Sequence, residues 1–232
     1  REMNVDQQES VKAELAQDYF KAGLYDRSEE LLLSLTKDNY EQFKLNTLLE
    51  IYVKERDWEK AVKMASQLEK ISGVSFRKEI SHYYCEMAVS MIISKKYSDG
   101  SKFLLQAIEE HKNCVRANIL LGDVRESQGM IDEAISYWRK IEYQKPEYLG
   151  LVASKIIKAY QAEGKINDGL SILSRYYDLY NLRTLLNVLY EAVISNEGPG
   201  SAEKIARNEL IQRPSLLALD QLFQALAMNK NT

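Results

Sequence analysis

Apolar residues recur three and four positions apart along most of the chain, which is the spacing that gathers them on one face of an α-helix. Short polar turns interrupt this pattern, and several of them contain glycine, as at Gly23, Gly129 and Gly164. A new helical pattern opens after each turn. The sequence therefore predicts a series of helix–turn–helix units.

One position is held by a small residue in every unit. Successive members of this column are 33, 39, 34, 35 and 33 residues apart. A period near 34 is typical of tetratricopeptide repeats. The column has a physical reason, because two helices that cross closely leave room only for a side chain about the size of alanine. Its members are Ser28, Ala61, Gly100, Ala134, Gly169 and Ala202.

These spacings predict an all-α fold, a tetratricopeptide-repeat α-solenoid of about six helix–turn–helix repeats plus a terminal helix. We expect a single superhelical domain over residues 1–232. The 39-residue interval indicates an insertion or a longer first helix around residues 72–78. The predicted repeats are residues 9–41, 42–74, 81–114, 115–148, 150–182 and 183–214, with a capping helix at 215–228.

Three repeats carry Asp or Asn two positions before the small residue, namely Asp26, Asp132 and Asn167. Side chains of this type accept hydrogen bonds from the free amides at the start of a helix. We therefore predict that they cap the second helices of their repeats.

Composition agrees with this fold and excludes several others. The chain has only 10 Gly and 3 Pro in 232 residues, which excludes a mostly β fold because strands need tight turns. Its longest apolar run is four residues, whereas a membrane helix needs about 20, so we expect no membrane segment. A net charge of −3 gives no basic footprint for nucleic acid.

Recognisable catalytic motifs are missing from the sequence. Neither a Gly-x-Ser-x-Gly elbow nor a phosphate-binding loop is present. The pairs His82/Cys85 and His111/Cys114 contain the ligand types of a tetrahedral zinc site, but the cysteines are equally suited to be small core residues. We expect no catalytic, cofactor-binding or metal-binding residues, and therefore a protein that is not an enzyme.

A binding surface follows from the repeat register. First helices of tetratricopeptide repeats line a concave face suited to peptides or protein segments. Charges of both signs alternate on it, which argues against a partner that is simply an acidic tail. Tyr176, Tyr177 and Tyr180 either pack between helices or form a separate aromatic patch for a partner. The residues expected on the concave face are Gln17, Lys21, Asn46, Glu50, His82, Cys85, Arg116, Asp123, Lys158 and Glu191.

Three stretches go beyond the generic repeat motif. They are LAQDYFKAGLYDRSEE at residues 15–30, WEKA at 58–61 and EISHYYCEMA at 79–88. The chain resembles the lipopolysaccharide assembly protein B family in these stretches, and Gln212-Arg213-Pro214 is similar to a later landmark of that family. The likeness is strongest over residues 15–134.

The resemblance implies an adaptor that regulates lipopolysaccharide synthesis at the cytoplasmic face of the bacterial inner membrane. Its implied partners are the lipid A deacetylase, the membrane-bound ATP-dependent zinc protease that degrades this deacetylase, and other lipopolysaccharide-assembly proteins. The alternative is a general peptide-binding co-chaperone or secretion chaperone with the same fold.

The family also has an N-terminal membrane helix and a C-terminal rubredoxin-like module with a four-cysteine metal site. We expect both to lie outside this chain, which contains no Cys-x-x-Cys pair. No metal role therefore passes to Cys85 or Cys114 from the resemblance.

Overall fold

The structure is a computed structural model, and it describes residues 5–230. Over that range it contains fourteen α-helices, two short 3-10 helices at Asp38–Tyr40 and Pro146–Leu151, and no strand. The α-helices are α1 (Val5–Lys21), α2 (Tyr25–Leu33), α3 (Glu41–Glu55), α4 (Trp58–Ser72), α5 (Arg77–Ile93), α6 (Tyr97–Glu110), α7 (Val115–Ser127), α8 (Ile131–Arg139), α9 (Ile141–Gln144), α10 (Ala153–Ala162), α11 (Ile166–Tyr180), α12 (Arg183–Glu197), α13 (Pro199–Gln212) and α14 (Leu216–Lys230).

The helices form sequential pairs, each made of a first and a second helix. Contacts join α1 to α2, α3 to α4, α5 to α6, α10 to α11 and α12 to α13. The pair α7 and α8 is joined by the Trp138 indole, which donates to the Ile119 carbonyl at 3.3 Å. A last helix, α14, packs on α13. The predicted all-α fold of tetratricopeptide-like repeats with a terminal helix is confirmed.

The column of small residues has one structural meaning throughout. Each member is the fourth residue of a second helix, and each is buried. A methyl group at Gly100 would lie 3.0 Å from Ile92 Cγ1, and one at Gly169 would lie 3.0 Å from Tyr160 Cβ. The Ser28 hydroxyl, in the same position, donates to the Ala16 carbonyl at 2.8 Å. The second helix therefore crosses the first at this point, where larger side chains do not fit.

The turns inside five pairs close with the same hydrogen bond. A residue with positive φ follows the first helix, and the next amide reaches back five residues to a carbonyl of that helix. Gly23, Gly129 and Gly164 supply the positive φ in three turns, while Arg56 and Lys95 adopt it in the other two. The bonds run from the amides of Leu24, Asp57, Lys96, Met130 and Lys165 to the carbonyls of Tyr19, Tyr52, Met91, Arg125 and Tyr160, at 2.8–2.9 Å.

The capping prediction for Asp26, Asp132 and Asn167 is wrong. Their helices begin one residue earlier, at Tyr25, Ile131 and Ile166, and none has a side-chain hydrogen bond at its cap. These side chains consequently lie inside the first turn of their helices. A carboxylate there interacts favourably with the helix dipole but forms no capping hydrogen bond. The cap exists in α4, where an Asp lies four positions before the small residue instead of two and so immediately precedes the helix. Asp57 accepts from the Lys60 amide there at 3.2 Å.

The long interval between the second and third small residues comes from long helices. The helices α4 and α5 have 15 and 17 residues, and only residues 73–76 separate them. The interval is therefore explained by a longer first helix and not by an inserted element.

The chain divides into two compact units, one up to Ala117 and one from Asn118 onward, so the division falls within α7. The first unit has a core of aliphatic side chains, with Leu32, Ile51 and Leu68 almost fully buried. The core of the second unit is built around larger rings, since Trp138 and Tyr176 are both fully buried. The single domain over residues 1–232 stays a prediction.

Side-chain bonds also tie consecutive pairs together. Arg175 on α11 donates to both carboxylate oxygens of Glu142 on α9, at 2.7 and 2.8 Å. Gln221 on α14 donates to Asn187 on α12 at 3.0 Å. The partners in these ties are 33 and 34 residues apart, which is one repeat.

Candidate interaction surface

The first helices of neighbouring pairs lie side by side within each unit. Contacts join α1 to α3 in the first unit and α10 to α12 in the second. The exposed residues Gln17 and Lys21 lie on α1, and Asn46 and Glu50 lie on α3. The exposed side of these first helices is the candidate interaction surface.

Three charged side chains form a cluster on this surface, which we call the α5 cluster: His82, Glu86 and Arg116. Arg116 Nη1 lies 2.5 Å from Glu86 Oε1 and 3.2 Å from His82 Nδ1. Because a guanidinium can only donate, Nδ1 accepts, and the imidazole proton lies on Nε2, which is 3.6 Å from Glu86 Oε1. The side chains of His82 and Arg116 remain 53% and 42% exposed, so the cluster is accessible to a partner.

Aromatic packing holds the α5 cluster in place. Trp58 at the start of α4 stacks on Tyr83, with ring centroids 5.7 Å apart, and meets His82 edge-on at 6.5 Å. Tyr84 stacks in turn on Phe103 of α6. The helix that carries His82 and Glu86 is therefore fixed on two sides before any partner binds.

Cys85 lies beneath this surface and not on it. Its side chain is fully buried, and its sulfur is 3.8 Å from the sulfur of Cys114. The repeat register predicted Cys85 on the same face as His82. In the structure it lies instead on the inward face of α5, together with Tyr83 and Ala88. A partner on the surface does not reach it.

In the second unit, Asp123 is already engaged by its neighbours. Its Oδ1 accepts from the Trp138 indole at 3.2 Å and from Lys155 Nζ at 2.5 Å. The Lys155 ammonium lies 5.9 Å from the centre of the Trp138 ring system as well. The carboxylate therefore positions Lys155 and the buried indole.

A shallow depression of about 180 Å³ lies between α10 and α12. Its lining includes Lys158 and Glu191, both predicted on the binding face, together with apolar Ile157 and Val188 and the amide of Gln161. Lys158 and Glu191 are exposed. An open site with one cation, one anion and apolar walls is suited to a side chain of a protein partner.

Within residues 5–230, the structure does not assemble the zinc site considered at His82, Cys85, His111 and Cys114. Among residues 5–230, no group of three or more His, Cys, Asp or Glu side chains is arranged to hold a metal ion. The His82 ring is directed to Glu86 and Arg116. Of the four residues considered, Cys85 and Cys114 bring their sulfurs to within 3.8 Å of each other.

Tyr176 and Tyr177, which the sequence placed either between helices or in an exposed aromatic patch, are core residues. Tyr176 is fully buried, and burial raises its pKa to about 12. Tyr177 is also buried, and its hydroxyl donates to the carboxylate of Glu209. An exposed aromatic patch at these two positions is therefore excluded.

Sequence reasoning missed Glu86 and Lys155. Glu86 follows His82 by four residues, which puts both on one helix face, so spacing alone pointed to this pair. The partner of Lys155 is 32 residues away, and only the repeat register relates the two positions.

Comparison with known proteins agrees with a repeat architecture. Residues 45–71, which lie within α3 and α4, match the family described as PPR repeat. Crystal structures of MamA and of PilW, a type IV pilus biogenesis factor, are 16% and 15% identical, with TM-scores of 0.46 and 0.43. They cover 83% and 95% of this chain, which covers 97% and 99% of theirs.

Curated relatives bear the name lipopolysaccharide assembly protein B. The protein from Escherichia coli (strain K12) is 26% identical over 211 residues, which is 90% of this chain and 54% of that protein. The protein from Haemophilus influenzae is 26% identical over 215 residues, 92% of this chain and 54% of that protein. The chain spans about half the length of the curated relatives it matches. It is a tetratricopeptide-like interaction scaffold distantly related to them.

Within residues 5–230, no helix combines the length and the apolar character needed to cross a bilayer.

Proposed function

We propose that this chain is the repeat region of a non-enzymatic adaptor that regulates lipopolysaccharide synthesis. It binds the lipid A deacetylase and presents it to a membrane-bound ATP-dependent zinc protease at the cytoplasmic face of the inner membrane. It also scaffolds other lipopolysaccharide-assembly proteins. The observation that carries the proposal is the 26% identity with lipopolysaccharide assembly protein B over 90% of the chain.

The candidate surface supports an adaptor because its charged groups are preorganised and exposed. In the α5 cluster, Arg116 is held by Glu86, and an aromatic stack fixes the helix that carries Glu86. A side chain that is already ordered loses less conformational entropy on binding. The mixed charge of the cluster favours a folded partner with complementary charges over a uniformly charged tail.

The test uses the intact protein that carries this chain, together with the variant Arg116→Glu. We expect the variant to co-purify less deacetylase and to lengthen the lifetime of the deacetylase in cells, because a like charge next to Glu86 breaks the cluster. Lys204→Glu is the matched control, since it makes the same charge change at an exposed site on the second helix α13. Thermal melting of both variants separates loss of binding from loss of fold.

Two results would overturn the proposal. One is an intact protein that binds neither the deacetylase nor the protease and leaves the deacetylase lifetime unchanged. The other is tight binding of many unrelated extended peptides without selectivity for the deacetylase, which would favour a general co-chaperone.

A further inference from the structure

The two cysteines of the chain meet beneath the α5 cluster. Cys85 lies in the middle of α5, and Cys114 immediately precedes α7. They are 29 residues apart in sequence, and their sulfurs are 3.8 Å apart. A disulfide needs about 2.05 Å, which small side-chain rotations can supply from this starting distance.

The two thiols differ in access. Cys85 is fully buried, whereas Cys114 is half-buried and so can be reached from solvent. A reagent therefore meets Cys114 first, and Cys85 can react only with a group already attached there.

Their electrostatic environments differ in the same direction. The hydrogen bond from the Cys85 thiol lowers the pKa of Cys114, and the Ala117 amide at the start of α7 and the nearby His111 act in the same direction. The same sulfur–sulfur hydrogen bond raises the pKa of Cys85, and burial raises it further. A thiolate at a helix start is the reactive form of cysteine, and a neighbouring thiol is the group that resolves a mixed disulfide.

Simple core packing accounts for Cys85 but not for Cys114. A free cysteine behaves as a small apolar residue, so packing in an apolar environment is enough to explain the burial of Cys85. Cys114 has no such need, because it is partly exposed in the link between α6 and α7. Its side chain nevertheless lies in contact with the sulfur of the other cysteine.

We propose that Cys85 and Cys114 are a thiol modification site that forms a reversible disulfide by exchange with low-molecular-weight disulfides. The Cys114 thiolate attacks one sulfur of the small disulfide, and the sulfur–sulfur bond of that molecule breaks to release one small thiolate. Cys85 then gives its proton to this thiolate, and its sulfur attacks Cys114 Sγ. The second small thiolate leaves and takes up the proton that Cys114 gave to solvent on ionising. In sum, two protein thiols are oxidised, and one small disulfide is reduced to two thiols.

The bridge joins α5 to the start of α7 and closes a loop that contains α6. A covalent loop restricts the unfolded chain, so the oxidised protein is more stable than the reduced protein. Cys85 adjoins Glu86, and Cys114 is two residues from Arg116, so the bridge also constrains the backbone on both sides of that ion pair. This inference does not depend on which partner the adaptor binds.

The experiment incubates the purified chain in buffers of oxidised and reduced glutathione, followed by intact mass measurement and labelling of remaining thiols. We expect the wild type to lose both thiols together, to become two hydrogen atoms lighter and to form no disulfide between chains. The midpoint of thermal unfolding should rise by about 5 °C or more on oxidation and return when reductant is added.

Two variants separate the roles of the cysteines. Cys85→Ala should accumulate one glutathione on Cys114, while Cys114→Ala should react at least about tenfold more slowly, because its remaining thiol is buried. The chain has only these two cysteines, so each product has one assignment. Should either variant fail to fold, the mass and melting measurements on the wild type decide the matter alone. The proposal is overturned if the wild type keeps both thiols, stops at a stable glutathione adduct, or forms only dimers.

Discussion

The Trp138 indole occupies the space that a side chain at residue 122 would need. A methyl group on Gly122 would overlap Nε1 of this ring and would lie 2.5 Å from Cδ1. The ring is fully buried, and Asp123 and the Ile119 carbonyl hold its N–H, so it has no room to move aside. Close approach of α7 and α8 in the second unit therefore depends on a glycine.

The first prediction concerns this contact. Gly122→Ala should lower the free energy of unfolding by about 1–3 kcal/mol, because the added methyl overpacks a rigid site. Gly200→Ala is the matched control, since that glycine lies in α13 with nothing within 4 Å of the added group. We expect the control to leave the free energy of unfolding unchanged or to raise it by up to about 1 kcal/mol, because alanine favours a helix more than glycine does. Urea unfolding measures both, and equal effects would contradict the packing described.

The second prediction concerns the column of small residues. Ala134→Leu should destabilise the fold by about 1–3 kcal/mol, because Ala134 is fully buried where α8 begins. Lys140→Ala should cost less than about 0.5 kcal/mol, since Lys140 is exposed and its ammonium lies over the Tyr137 ring. Thermal melting compares the two variants. Matching melting temperatures would show that this position tolerates bulk, against the close crossing.

The third prediction concerns pH. Hydrogen bonds from Arg175 hold the pKa of Glu142 below its ordinary value of 4.5. A depressed carboxylate pKa stabilises the fold above the unfolded-state pKa, and this stabilisation is lost as pH falls through the folded-state pKa. Glu142→Gln should therefore cost about 1–2 kcal/mol at neutral pH, a modest value because Arg175 is partly exposed. The cost should shrink below pH of about 4.

Unfolding in urea at several pH values tests this expectation. Glu147→Gln is a suitable control, because Glu147 is exposed and close in sequence. A cost for Glu142→Gln that stays constant from neutral to acidic pH would contradict the assigned role of the ion pair.

The fourth prediction concerns the depression between α10 and α12. Lys158→Glu should weaken binding of a protein partner by about fivefold to tenfold, because it places two negative charges in one site with Glu191. The melting temperature should be nearly unchanged, since the side chain is exposed. Binding titrations compare it with Lys204→Glu on α13. Equal affinities for the two variants would remove this depression from the interaction surface.

Much of the fold was predictable because the decisive pattern is local. The small residues are fixed by the crossing of two helices that are adjacent in sequence, so the period alone located Ala61 and Ala134. The caps failed for a local reason as well. The helices begin at Tyr25 and Ile131, so a start two residues later would have put Asp26 and Asp132 in the capping position, and sequence does not fix a helix start that finely.

The candidate site was only partly predictable. His82 and Glu86 share a helix face by spacing, but the approach of Arg116 from 34 residues away depends on how α5 meets the start of α7. The burial of Cys85 has the same origin. Register placed it near His82, whereas packing against Cys114 decided which side of the helix turns inward.

The ties that join consecutive pairs, such as Arg175 with Glu142 and Gln221 with Asn187, each reach across one repeat. Within the second unit, neighbouring pairs are therefore coupled across one repeat, in the manner of a one-dimensional array. A substitution that breaks one of these bonds destabilises the two pairs that it connects. Its effect decreases with distance along the chain. The loss of protection from amide hydrogen exchange should accordingly be greatest at the altered pair and should diminish pair by pair with distance from it.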